Sequence, residues 1–247
     1  MSFYETLSRY YDDIFPYSPD QQRFVEQYMP HYGRILDVAA GTGNLAAALS
    51  GSGYQVTALD VDPSMVQRIR AKQQAGEAPS FETLLMDMRG LDRLPAEYYH
   101  AVLCVGNSLV HLNDLTEIAE SVIQMYDRLV PGGTLILQNV NYDRILRDRV
   151  KELPVIERSL AEGTLTFRRF YELEEDGILF QGRLTLDKDG AQEVYENSVR
   201  LLPMQSEELL HIAEQYGLPV PELYGGYKQE PYQTGSTALV AVFRKPE

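Results

Sequence analysis

The chain has 247 residues, 44% of them apolar and 23% charged, which suits one packed domain or one domain carrying a substantial insertion. Its 36 acids against 22 Lys plus Arg give a formal net charge of −14, a balance that repels nucleic-acid backbones and anionic lipid and leaves a small molecule as the expected partner. The single cysteine, Cys104 in the apolar run AVLCVG, excludes an intrachain disulfide, and the absence of a signal-like opening or a bilayer-length apolar run leads us to expect a cytoplasmic chain with no membrane partner.

In chain order, RILDVA (34–39), QVTALD (55–60), SFETLLMD (80–87), AVLCVGN (101–107) and TLILQNV (134–140) are apolar runs of strand length. Helix-like stretches separate them. GNLAAALSGSG (43–53) and DPSMVQRIRAKQQAG (62–76) both close on glycine, and Asp62 before Pro63 reads as an N-cap. DLTEIAESVIQMYDRLVPGG (114–133) spaces Leu115, Ile118, Val122, Met125 and Leu129 on one helical face and stops at Pro-Gly-Gly. Strands alternating with helices predict a parallel, helix-covered sheet. RILRDRVK (144–151) carries an acid among its bases and reads as a solvated helix face. From 163 to 203 the pattern changes to period-two alternation broken by EDG and KDG turns, which predicts antiparallel hairpins. SEELLHIAEQYG (206–217) predicts a helix capped by its serine, and VPELYGGY and TALVAVFRK predict two further strands joined by a long loop. The expected fold class is α/β, a doubly wound, mostly parallel sheet with an antiparallel β insertion.

The stretch LDVAAGTGNLAAAL (36–49) holds the chemistry. Gly41, Gly43 and Ala46 satisfy the dinucleotide-binding pattern G-x-G-x-x-G/A, so an NAD-dependent oxidoreductase is one reading. Asp37, four residues before Gly41, would repel a pyrophosphate and attract an ammonium or sulfonium. Asp60 ends the second strand, about twenty residues past the glycines, where a carboxylate accepts from ribose hydroxyls. Together the two acids favour a positively charged nucleoside, and S-adenosylmethionine has the ribose, the ammonium and the sulfonium.

On these residues the chain resembles the class I S-adenosylmethionine-dependent methyltransferases, across nearly its whole length. Their acid-x-Gly-x-Gly-x-Gly signature corresponds to Asp37, Ala39, Gly41 and Gly43, with alanine in place of the first glycine. The resemblance implies a Rossmann-like methyltransferase fold whose β insertion caps the active site, with S-adenosylmethionine as cofactor. It implies that Gly41 and Gly43 approach the methionine part, Asp60 the ribose, and Met65 the adenine. Asp87 of LMDM would accept from the adenine amino group, and Val61, Met88, Val105 and Gly106 would lie beside the cofactor. One departure is His100-Ala101 where the family opens its fourth strand with an acid. GNSLVHL (106–112) and LVPGGTLILQNVNYD (129–143) look like the glycine N-methyltransferase branch, which implies that Asn107 and Asn141 lie over the transferring methyl. YYDDIF (10–15) looks like the lid of small-molecule members. The implied organisation is a single domain over 1–247, with lid helices in 1–30, a cofactor-binding core in 31–143, a cap in 144–203 and a sheet-completing segment in 204–247.

The candidate catalytic residues are Tyr11, Asn107, His111 and Asn141, and each has a structural alternative. Tyr10 and Tyr11 close over the sulfonium through cation–aromatic attraction, or they belong to a helix packed on the sheet. His111 is a general base, or a histidine satisfied beside the fourth strand. Asn107, Asn139 and Asn141 bind acceptor, or they satisfy loop backbone. Arg168, Arg169 and Arg200 are expected to pair with surface acids rather than to hold a carboxylate. No His, Cys and Asp spacing suggests a metal. The expected function is methyl transfer to a small-molecule acceptor, with an amine nitrogen first. An NAD-dependent oxidoreductase and a non-catalytic S-adenosylmethionine-binding module are the alternatives, and nucleic-acid methylation is disfavoured by charge.

Overall fold

The computed structural model describes residues 3–188 and 190–247, so Asp189 of the expected KDG turn lies outside the described residues. Three short helices open the chain: α1 (Phe3–Arg9), α2 (Tyr11–Ile14) and α3 (Pro19–Glu26). An alternating segment follows, with β1 (Arg34–Val38), α4 (Asn44–Gly51), β2 (Gln55–Asp60), α5 (Pro63–Gln74), β3 (Glu82–Leu85), β4 (Tyr99–Cys104), α6 (Leu115–Asp127), β5 (Leu129–Val140) and α7 (Tyr142–Arg147). Next come four strands without a helix between them, β6 (Ile156–Leu160), β7 (Gly163–Glu174), β8 (Gly177–Lys188) and β9 (Ala191–Leu201). The chain then runs through α8 (Ser206–Gln215), β10 (Glu222–Tyr224) and β11 (Ala238–Arg244).

The main sheet has the order β10-β11-β5-β4-β1-β2-β3. Its strands β1 to β5 are parallel, and β11 lies antiparallel between β5 and β10. Both faces are covered, which is why its strands read as nearly continuous apolar runs. Ile35, Ala101, Leu103 and Ile136 meet α3 and α4 through Phe24, Leu45 and Leu49. Leu36, Val38, Val102 and Leu135 meet α6 and α8 through Ile118, Val122, Met125 and Leu209. The order reverses between β1 and β4, where open α/β sheets place their ligands at the carboxyl ends of the strands.

Local chemistry fixes the ends. Asp62 and Asp114 cap α5 and α6 by accepting from Ser64 N (2.7 Å) and Glu117 N (2.8 Å). Two expectations are corrected. The LVPGG segment does not terminate the helix but opens β5, with a register irregularity against β4 near Tyr99 and Ala101. Gln205, not Ser206, holds the N-cap position of α8, because the Ser206 hydroxyl is drawn to Asp143. His100, at the departure from the family pattern, accepts from Arg34 N through Nδ1 (3.1 Å) and so ties β4 to the start of β1.

The second sheet has the order β6-β7-β8-β9, antiparallel throughout. One face packs on Tyr10 and Ile14 from the N-terminal helices through Leu165, Phe167, Leu184 and Leu186, and Tyr171 and Ile178 join the main core. No described helix is long and apolar enough to cross a membrane.

Candidate functional site

A cavity of about 520 Å³ and a second of about 340 Å³ meet over the carboxyl ends of β1, β2 and β4. Ala39, Asp60, Ser108 and His111 line both, so they form one cleft. A hollow of about 710 Å³ between α6 and α8 contains none of the expected residues and is unrelated to the strand ends.

β1 carries Asp37 into the interior, where it is 2% exposed and its Oδ1 has no hydrogen-bond partner. Burial and the charge of Asp60 push its pKa up to about 7. Asp60, also buried, accepts from Gly41 N (2.8 Å) and Asp62 N (2.9 Å); burial raises its pKa as well, opposed by those backbone bonds. The loop between them turns through left-handed conformations at Ala39 (φ +58°), Gly41 (φ +58°) and Gly43 (φ +76°). This explains what the altered first glycine does: Ala39 keeps the glycine-like backbone and carries its strain. A Cβ on Gly41 would lie 3.3 Å from the Tyr11 hydroxyl, so the bare backbone lets Tyr11 close down on the loop.

Gly43 serves another purpose than the resemblance implies. It lines neither cavity, and a Cβ there would lie 2.9 Å from Ile69 Cγ1, so it permits α5 to pack against α4. Met65 lines the larger cavity, while Val61, Met88 and Leu112 line the smaller one. Val61 is 61% exposed, an apolar side chain left open at the cleft. Asp87 lines the same smaller cavity, with its carboxylate clasped by Arg89 (Nη2 to Oδ2, 2.6 Å), which holds its pKa down.

The N-terminal helices form one wall. Tyr11 and Phe15, with ring centroids 5.1 Å apart, both line the larger cavity. Burial, reinforced by the charges of Asp60, Asp12 and Asp37, pushes the Tyr11 hydroxyl pKa up to about 12. Next to it Asp12 takes hydrogen bonds from the Thr42 hydroxyl and Asn44 Nδ2 and an ion pair from Lys72 (2.6 Å), and Lys72 also donates to Thr42 O and Asn44 Oδ1. This knot fastens α2 to the glycine loop.

Val105, Gly106 and Asn107 line the larger cavity from the end of β4. Asn107 (φ +72°) donates to the Tyr142 hydroxyl (3.0 Å) and accepts from Val140 N (2.9 Å), which ties the ends of β4 and β5 together. His111 is exposed to the cleft yet crowded by protein, and desolvation lowers its pKa, so its ring is neutral at pH 7. Asn141 is a correction. It is fully buried, caps α7, and donates to the carbonyls of Gln233, Thr234 and Ser236 while accepting from Arg144 N and the Tyr232 hydroxyl. No hydrogen-bonding capacity remains for an acceptor, and it lines neither cavity. Asn139 is buried too, outside the cleft.

The far wall comes from the second sheet and was not legible as a site in the sequence: Phe167, Arg169, Tyr171, Phe180, Asn197 and Val199 all face the larger cavity. Period-two alternation along β7 puts Leu165, Phe167, Arg169 and Tyr171 on one face, a signal that groups them in the sequence without saying that this face turns toward the cleft. Gln138, on β5, was missed as well; it lines the cavity and accepts from Gly106 N (2.8 Å). As expected, Arg168 pairs with Glu152, and Arg200 with Glu174 and Asp176. Arg169 does not follow them.

The residues fit S-adenosylmethionine. Two buried carboxylates share one cavity, one has an oxygen without a donor, and the nearby Lys72 is committed to Asp12, so the site suits a cation and disfavours a pyrophosphate. A family model described as a methyltransferase domain matches residues 35–133. The chain is 32% identical over 187 residues to a glycine/sarcosine N-methyltransferase of Aphanothece halophytica, a match covering 70% of this chain and 68% of that protein. It is 34% identical over 114 residues to the glycine/sarcosine N-methyltransferase of Halorhodospira halochloris, covering 46% of this chain and 42% of the relative, so that match spans less than half of each. A crystal structure of an S-adenosylmethionine-dependent methyltransferase from Clostridium acetobutylicum superposes with a TM-score of 0.80 at 14% identity, covering 99% of both chains.

Proposed function

The chain belongs to the class I S-adenosylmethionine-dependent methyltransferases, with S-adenosylmethionine as its cofactor, and from that premise we propose that it methylates an amine nitrogen of a small molecule held beneath the second sheet. The cofactor supplies an electrophilic methyl group on a sulfonium. The protein's part is then alignment, desolvation and handling of one proton. In this reading Asp37 takes the ammonium, Asp60 the ribose hydroxyls, and Val61, Met88 and Leu112 the adenine faces. Asp87, steadied by Arg89, accepts from the adenine amino group, and Tyr11 closes the cleft over Gly41.

The observation that carries the nitrogen acceptor is the place of His111, an imidazole that lines both cavities at their junction. A free amine arrives protonated at pH 7 and must lose that proton before its lone pair can attack, and a neutral imidazole in the cleft accepts it. The names of the relatives, both N-methyltransferases, point the same way.

A labelled-methyl assay against a panel of amines, alcohols and carbon acids tests the acceptor. Labelled N-methyl products are expected. His111→Gln should lower kcat about 100-fold near pH 7, and the loss should shrink toward pH 10, where the amine arrives unprotonated. A product methylated on oxygen or carbon, or a loss that is the same at every pH, overturns the proposal. Cofactor binding with no methyl transferred to any acceptor would favour the non-catalytic module.

A further inference from the structure

The inward face of the second sheet is ordered in rows. Strand register sets Arg169 opposite Gly182 and Gly182 opposite Asn197, and opposed residues share a face. The row on one side is Phe167, Leu184 and Tyr195, and on the other Tyr171, Phe180 and Val199. A polar bar therefore lies between two apolar rows, with glycine at its centre, and both ends of the bar line the larger cavity.

Arg169 is unusual in its surroundings. Its neighbour Arg168 points to the other face and pairs with Glu152 (2.8 Å), and Arg183 pairs with Glu196. Among the described residues no carboxylate lies within ion-pair distance of Arg169. One N–H, on Nη2, reaches the Pro154 carbonyl (2.8 Å), and Nε is buried without a partner. Its guanidinium lies 5.7 Å from the Phe167 ring centroid. Burial holds its pKa below the ordinary arginine value, yet a guanidinium remains charged at physiological pH. Arg169 as a whole is half-buried, but its Nε has lost water without gaining a partner, and a ligand that brings an acceptor and a negative charge would meet both needs.

The geometry points to an acceptor that carries a carboxylate on an apolar, ring-sized body, with the carboxylate against the Arg169–Asn197 bar and the body against Phe180 and Val199, the half-buried part of the neighbouring row. This rests on the larger cavity being the acceptor's, as in the amine reading. The planar fork of arginine matches a carboxylate through paired N–H bonds. Phe167 and Tyr171 are already buried against the N-terminal helices and the main core, so the apolar surface left for the acceptor's body is that of the half-buried Phe180 and Val199.

Binding separates this inference from catalysis. Protein saturated with S-adenosylhomocysteine is titrated calorimetrically with 3-phenylpropionate, 3-phenylpropan-1-ol and acetate. The phenyl carboxylate should bind at least about tenfold tighter than the other two, a difference of about 1.4 kcal/mol. Arg169→Met should abolish its advantage over the alcohol and Arg169→Lys should keep part of it, with S-adenosylhomocysteine affinity as the folding control. Equal binding of acid and alcohol by the wild type overturns the carboxylate, and so does an unchanged preference in Arg169→Met. Acetate binding as tightly as phenylpropionate overturns the ring-sized body. Equal probe binding alongside intact amine methylation would sink this inference alone, and selective carboxylate binding without any amine product would sink the amine reading alone.

Discussion

Asp37 sits in the interior with one oxygen unmet and, among the described residues, no cation paired with it, and its pKa is pushed up to about 7 by burial and by Asp60. The sign of the pH effect follows. An unfolded aspartate titrates near 3.9, so between about pH 4 and pH 7 the folded protein without ligand binds the extra proton and loses stability as pH rises, levelling off above 7. A ligand ammonium placed against Asp37, which S-adenosylmethionine and S-adenosylhomocysteine both carry, prefers the ionised carboxylate and shows the reverse trend. S-adenosylhomocysteine affinity, measured by calorimetry, should tighten up to tenfold per pH unit below about 7 and then flatten, and Asp37→Asn should remove that slope and weaken binding throughout. Ala39, the first residue of the loop after β1, is informative in another way. Ala39 holds φ +58°, which costs an alanine roughly 1–2 kcal/mol, against roughly 0.5–1 kcal/mol for the extra backbone freedom of glycine. Ala39→Gly should therefore stabilise the fold by about 0.5–1 kcal/mol and raise Tm by about 1–3 °C in a thermal melt.

At the level of elements, α2 is too short to hold its place by its own hydrogen bonds. It is held instead by Asp12, which gathers Thr42, Asn44 and the 13%-exposed Lys72. Asp12→Ala should leave Tm within a few degrees of wild type, speed hydrogen exchange over residues 6–17, and weaken cofactor binding about 5- to 10-fold, a loss of about 1 kcal/mol, modest because the knot is only partly buried. The elements differ in how far the sequence revealed them. QVTALD has the same bounds as β2 because a strand buried on both faces announces itself as an unbroken apolar run. LVPGG misled because proline and glycine after a helix signal a stop, whereas pairing with β4 and the distant β11 draws this segment into β5. Asn107 and Asn141 look alike in sequence, each an asparagine just past a strand. Only the loop at 233–236, packed over Asn141, separates them. The cofactor side of the cleft was legible because Asp37, Gly41, Asp60 and Asp87 lie close along the chain. The cap side was not, since knowing that Arg168 and Arg169 face opposite ways does not say which face turns inward until the sheet is docked.

Taken as a whole, the molecule carries a formal charge of −14 and a cleft whose floor is anionic. Such a field draws in cations and is screened by salt over a Debye length of about 10 Å at 0.1 M. The association rate of S-adenosylmethionine, with a net positive charge, should fall several-fold as salt is raised from about 0.01 M to about 0.15 M. That of S-adenosylhomocysteine, which has no net charge, should change little, and stopped-flow tyrosine fluorescence can follow both. The position of β11 bears on how the chain is made. Its partner β5 ends at residue 140, but β11 begins only at residue 238. At a synthesis rate of about 5–20 residues per second, a nascent chain exposes the flank of β5 for roughly 5–20 seconds before its cover emerges. That bare edge is a template for pairing with other chains. Translation that halts in this interval, or a nonsense codon within it, should yield aggregates rather than a smaller working enzyme.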